Sequence, residues 1–120
     1  MTDPYIQYKS GYKYQLAVDY HIRSNIKPVS DVVTDYIDLD VKGNLTVKKG
    51  YAWDGTSGPV LDTNENLRAS LVHDAYYQLM RMRKLKSTEY KDAADKLFRN
   101  MCKIDGVASP VAQLYYMALD

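Results

Sequence analysis

The apolar residues of this chain change period halfway along, and that change limits the folds open to it. From Tyr12 to Ile22 they alternate without a break. Tyr12, Tyr14, Leu16, Val18, Tyr20 and Ile22 fall on one side, and Lys13, Gln15, Ala17, Asp19 and His21 on the other. Successive side chains of an extended strand point to opposite faces, so the pattern predicts a half-buried strand. In the second half the spacing lengthens to three and four. Leu67, Leu71, Ala75 and Leu79 form one stripe, and Ala94, Leu97, Phe98, Met101 and Cys102 another, which is the spacing of amphipathic helices. Strands followed by helices predict the α+β class: a small N-terminal antiparallel sheet packed against three C-terminal helices.

The 120 residues make one domain, with 1–50 mainly β, 51–62 a site loop and 63–120 mainly α. Residues 5–8 are a candidate first strand. Residues 24–31 form a loop punctuated by Pro28. Ile37, Leu39 and Val41 share one face of a strand over residues 36–41. Lys42-Gly43-Asn44 is a hairpin turn, and Leu45, Val47 and Tyr51 lie on the return. Asp62 or Thr63, with Glu65, caps a first helix running from about residue 65 to 83. Ser87 or Thr88 caps a second helix, which Asp105-Gly106 ends. Ser109 caps a third, with Pro110 in its first turn, and that helix runs on to Asp120.

Composition narrows the function classes. Sixteen basic residues against 15 acidic give no bulk attraction for nucleic acid. One cysteine, Cys102, rules out an intrachain disulfide and a cysteine-based zinc site. No stretch is apolar enough for a transmembrane segment, and the opening MTDPYIQYKSGYKY lacks the apolar core of a signal peptide. At 46% hydrophobic the chain can bury one core unaided. Twelve tyrosines against one phenylalanine suit half-buried positions with one wet end.

The chemistry gathers around residues 53–58 and 73–95. Two helices joined by a short link pack antiparallel, and residues equidistant from the link sit at one height. His73 and Asp95 are centred on Lys84, inside the link, so their side chains can meet. A histidine oriented by a carboxylate is a general base in a fixed tautomer. Tyr77 lies one turn after His73 on the same face. Asp74 is rotated about 100° from it. The loop Trp53-Asp54-Gly55-Thr56-Ser57-Gly58-Pro59 offers backbone carbonyls, its glycines allow close approach, and Pro59 stiffens it. A carboxylate beside free carbonyls suits a hard cation.

The set WDGTSGP, His73-Asp74-Ala75-Tyr76-Tyr77 and Ala94-Asp95-Lys96-Leu97-Phe98 resembles a family of small uncharacterised phage and prophage domains, a domain of unknown function, over roughly residue 35 onward. That resemblance implies the host cytoplasm or a virion as location and a phage virion or host protein as partner. The same helices are locally similar to the secreted phospholipase A2 superfamily, with its H-D-x-x-Y helix and partner aspartate. This second resemblance implies His73 as the base, Asp95 as its orienter and Tyr77 as a brace. It also implies calcium held by Asp74 and the carbonyls of Trp53, Gly55 and Ser57, and an ester or lipid-like substrate. Ser57 stands where the second loop glycine of that superfamily falls, its loop disulfide has no cysteines here, and the N-terminal sheet has no counterpart in it.

Each feature also has a plainer reading. Asp95 is four residues from Arg99 and can pair with it on the surface. Asp54 can cap its own turn, as Asp-Gly pairs do, with Gly58 as part of the same corner. Ser57 with His73 and Asp95 suggests a serine nucleophile, but the G-x-S-x-G elbow is missing. A His-Asp phosphohydrolase needs another metal-binding histidine, and His21 lies on the polar side of a strand. The cations Arg81, Arg83, Lys84 and Lys86 form a solvated helix end that could also meet phosphates or an anionic surface. The alternative to a hydrolase is a non-enzymatic accessory module, in which the His-Asp cluster is a buried polar network.

Overall fold

The first half of the chain pairs into two antiparallel sheets. In the computed structural model, which describes residues 2–11, 14–55 and 66–119, strands β1 (Tyr8–Lys9), β2 (Tyr14–Leu16) and β7 (Ala52–Trp53) form one sheet in the order β1-β2-β7. Strands β3 (Tyr20–Arg23), β4 (Val32–Val33), β5 (Ile37–Leu39) and β6 (Asn44–Val47) form the other, ordered β3-β6-β5-β4. Tyr14 sits opposite Trp53, while Tyr20 and Ile37 both sit opposite Val47.

The unbroken strand expected over 12–22 is therefore two strands. Tyr12 and Lys13 lie outside the described residues, and the break comes at 17–19. Leu16 exchanges backbone hydrogen bonds with Gly50 and Tyr51, and Ala17 N–H donates to the Gln7 carbonyl. Asp19 Oδ1 then accepts from Lys49 N at 2.7 Å. The two sheets thus draw on the same run of alternating residues, and Val18, at the corner between them, is left 42% exposed. Val41 also departs from its expected face. The strand ends at Leu39, and Asp40 gathers the turn, its Oδ1 accepting from Lys42 N and Asn44 N. Gly43 has φ +88°, the left-handed conformation that a hairpin turn of this kind demands.

Helix α1 (Leu67–Arg81) is buried over nearly all of its first ten residues, and it ties the elements together. Arg68 reaches Tyr20 on β3, Ser70 meets Trp53 on β7, and Tyr76 meets Ser24 beyond β3. Leu67, Leu71, Ala75 and Leu79 are all buried, as their spacing predicts. Helix α2 (Ser87–Ile104) returns antiparallel, burying Ala94, Phe98, Met101 and Cys102, with Leu97 half-buried. Its cap is Lys86, because Ser87 is already helical. Helix α3 (Ser109–Met117) begins one residue earlier than expected, after Ala108, and stops at Met117 rather than running to Asp120. The expected caps Asp62, Thr63 and Glu65 lie outside the described residues. No helix among the described residues is long and apolar enough to cross a membrane.

Candidate functional site

The α1–α2 hairpin brings residues 22 apart in sequence into contact. His73 Nε2 and Asp95 Oδ1 are 2.7 Å apart, and both residues are buried. Tyr77, one turn along α1, donates its hydroxyl to the same Oδ1 at 2.5 Å. Lys91, one turn before Asp95 on α2, donates its ammonium to Oδ2 at 2.8 Å. The carboxylate therefore receives three donors, from both helices. The surface pairing of Asp95 with Arg99 is not what forms. Arg99 instead reaches Gln113 and lies 5.1 Å over the Tyr116 ring, both on α3.

Packing holds the imidazole in place. Its ring lies 4.1 Å, centroid to centroid, from Tyr77 and 5.3 Å from Phe98. Burial pushes its pKa below the ordinary 6.5, an effect partly offset by the hydrogen bond and charge of Asp95 and by the charge of Asp74. The ring is therefore neutral at pH 7. Its Nε2–H donates to the carboxylate, and Nδ1 is left with the lone pair. Burial, and then the Asp95 contact, raise the Tyr77 phenol to about 12, so it stays a donor. Lys91 is held protonated chiefly by its hydrogen bond to Asp95.

His73 and Tyr77 open onto a small cavity of about 240 Å³, lined also by Asp54, Gly55, Asp74 and Arg81. A wider groove of about 750 Å³ adjoins it and shares Asp54, Asp74 and Arg81. Gly55 has φ +91°, a conformation that favours glycine, as expected where the chain turns beside the site. Trp53 is buried on β7 with its indole N–H donating to Ser70 Oγ at 2.9 Å, and that hydroxyl donates on to the Leu67 carbonyl. This chain of bonds anchors the start of the loop to α1. Asp74 has partners other than those of Asp95. It accepts the Tyr51 hydroxyl at 2.5 Å and lies 4.0 Å from the Arg81 guanidinium. Ser57 and Gly58 lie outside the described residues.

His73, Asp95 and Tyr77 thus come together, and Asp54, Gly55 and Asp74 line the same cavity. Sequence reasoning did not place Lys91 or Tyr51 at the site. Lys91 carried a readable signal, since it stands four residues before Asp95 on a helix. Tyr51 carried none, because its partner is 23 residues away across the sheet–helix contact. His21 is exposed, as its strand position predicts, with its ring against Thr46.

The sequence model of one protein family, described as "Protein of unknown function (DUF1353)", matches residues 31–119. That span takes in β4 to β7, the loop, both helices of the hairpin and α3. No curated protein and no solved structure gives a significant match.

Proposed function

The chain belongs to the DUF1353 family, and we propose that it carries a hydrolytic site in which His73 is the general base and Asp95 its orienting partner. The observation that carries this reading is the 2.7 Å His73–Asp95 contact on the wall of a cavity that also holds Asp54, Gly55 and Asp74. A water in the cavity gives its proton to Nδ1 as its oxygen attacks an ester carbonyl carbon. When the tetrahedral intermediate collapses, the C–O bond to the alcohol breaks and the imidazolium returns the proton to the leaving oxygen. Asp95, already bonded to Nε2–H, stabilises the cation that forms in between, and Tyr77 and Lys91 keep Asp95 in register. The substrate class is an ester, lipid-like in the extended form of the proposal.

Calcium at Asp74 belongs to the same proposal. Asp54 and Asp74 share the cavity wall, which favours a cation. Tyr51 and the Arg81 guanidinium already engage Asp74, which opposes one. Among the described residues no group of three histidine, cysteine or acidic side chains is placed to hold a metal. The proton transfers above use the side chains of this site, and calorimetry with calcium tests the metal. The likeness to phage domains adds the host cytoplasm or the virion as location and a phage or host protein as partner, as part of the proposal.

The test is turnover on a panel of esters by the wild type and by His73→Ala and Asp95→Asn. Loss of a positioned base costs about 10²- to 10⁴-fold, so both variants should fall to near background while remaining folded by circular dichroism. A second reading has its own support: Asp95 is fully engaged by three donors, as befits a buried network that fastens the helices. A wild type inert on every ester, with His73→Ala sharply lowering the melting temperature, decides for that non-enzymatic module.

A further inference from the structure

The α1–α2 link carries a feature the dyad does not use. From Ala75 to Thr88 the chain has no acidic residue and four cations, Arg81, Arg83, Lys84 and Lys86, all of them exposed. Apolar side chains that stand in solvent surround them: Val29 at 99% exposure, Val33 at 72%, Tyr36 at 49% and Met82 at 41%. These residues form one face. Val29 lines a shallow groove with Arg83, Lys84 and Lys86. Val33, Tyr36 and Met82 line the next groove with Arg81 and Lys84. Lys84 belongs to both grooves.

Tyr90, in the first groove, donates its hydroxyl to the Lys27 carbonyl, which brings Lys27 to the same side. The acids that line these grooves are Glu89 in the first and Asp35, Asp54 and Asp74 in the second. The first groove, with Arg83, Lys84 and Lys86 against Glu89, is positive in a chain whose overall charge is only +1. Arg83 adds a further sign. It follows α1 at φ +59°, where glycine is the favoured residue, so the chain keeps a cation at a position that costs backbone strain.

We propose that this face docks on an anionic lipid surface, with Val29, Val33 and Met82 entering the headgroup–acyl boundary and the link cations lying at the phosphate level. The charge of the link cations in the first groove selects an anionic partner. The aliphatic tips select lipid over nucleic acid, since exposed valines add nothing to phosphate contacts but do contribute at an interface. The groove that the face borders leads, through Arg81, Asp74 and Asp54, to the cavity holding His73. Docking is nonetheless read without turnover, so it stands or falls apart from the hydrolytic site.

The experiment is co-sedimentation of the 120-residue chain with phosphatidylcholine vesicles, with and without roughly one quarter phosphatidylserine. Binding should require the anionic lipid and weaken as salt rises. Lys84→Gln/Lys86→Gln should reduce it about fivefold per cation removed. Val29→Ser/Val33→Ser should reduce it roughly tenfold, since both side chains are solvent-exposed and contribute apolar area only at the membrane. Arg83→Gly should weaken vesicle binding while leaving the fold as stable or more so, which separates docking from folding. Four results overturn the proposal: no anionic-vesicle binding by the wild type, equal binding to neutral vesicles, full binding by both double variants, or tighter binding to a DNA duplex than to the vesicles.

Discussion

His73 is the residue on which both functional readings turn, and its protonation separates folding from chemistry. Its folded pKa lies below the ordinary 6.5 because burial disfavours the cation. The unfolded chain therefore takes up a proton first as the pH falls. Stability from this group is whole above about 6.5 and is lost as the pH drops toward the folded value. Melting temperatures across pH 7.5 to 5 should show that loss in the wild type, and His73→Gln should flatten it. If His73 is the base, the acid limb of kcat/KM follows the same group, so activity rises with pH and levels off near or below about 6.5 rather than above it. A limb well above that value would point to another base. His73→Ala itself should cost about 1–3 kcal/mol in urea unfolding, because it removes one donor from a buried carboxylate and the ring that packs on Tyr77 and Phe98.

At the scale of elements, two turns show how far backbone conformation was readable. In the β5–β6 hairpin, an added Cβ at Gly43 would stand 2.1 Å from the Ser24 carbonyl oxygen, at φ +88°. Gly43→Ala should therefore cost at least about 2 kcal/mol in denaturant unfolding, since the left-handed penalty and a clash with main chain act together. An unchanged midpoint would mean that the turn is looser than this geometry. After α1 the sign reverses. Arg83 occupies the left-handed position, its N–H donating to the Met80 carbonyl, while Lys84 N–H reaches back to Leu79. Arg83→Gly should stabilise by about 0.5–1 kcal/mol, or roughly 2–4 °C in Tm, on relieving that strain. A calorimetric scan showing a lower Tm would mean that the arginine side chain holds the link in a way the described contacts do not account for. The hairpin glycine was legible as a turn signal. The arginine was not, because nothing local announces a left-handed residue that is neither glycine nor asparagine.

At the scale of the whole molecule, Arg68 holds the two halves together. Its guanidinium makes two 2.8 Å bonds to Asp105 at the end of α2, one of 2.9 Å to the Tyr20 hydroxyl on β3, and one of 3.3 Å to the Asp3 carbonyl. Tyr20 also donates to that carbonyl, and the amide of Asp3 pairs with His21 along the outer edge of β3. Arg68→Met should cost about 2–3 kcal/mol, toward the low end for a broken buried pair because Asp105 keeps some water. Adding Asp105→Leu should recover most of the loss, and a double-mutant cycle measures how much.

The alternating run, the two helical stripes and the hairpin glycine determined the α+β class, because a backbone's own period decides which of its faces is apolar. The same arithmetic about the link sets His73 level with Asp95. Folding decided what local spacing leaves open. The run from 14 to 22 divides between two sheets because Lys49, Gly50 and Tyr51 return to bond Leu16 and Asp19, 30 or more residues downstream. Asp95 had a cation four residues to either side, and the choice fell to Lys91 because α3 claims Arg99. Tyr51 on Asp74 and Arg68 on Asp105 join partners 23 and 37 residues apart. Pairings at that distance follow from which surfaces are buried together, and a one-dimensional pattern carries no record of that.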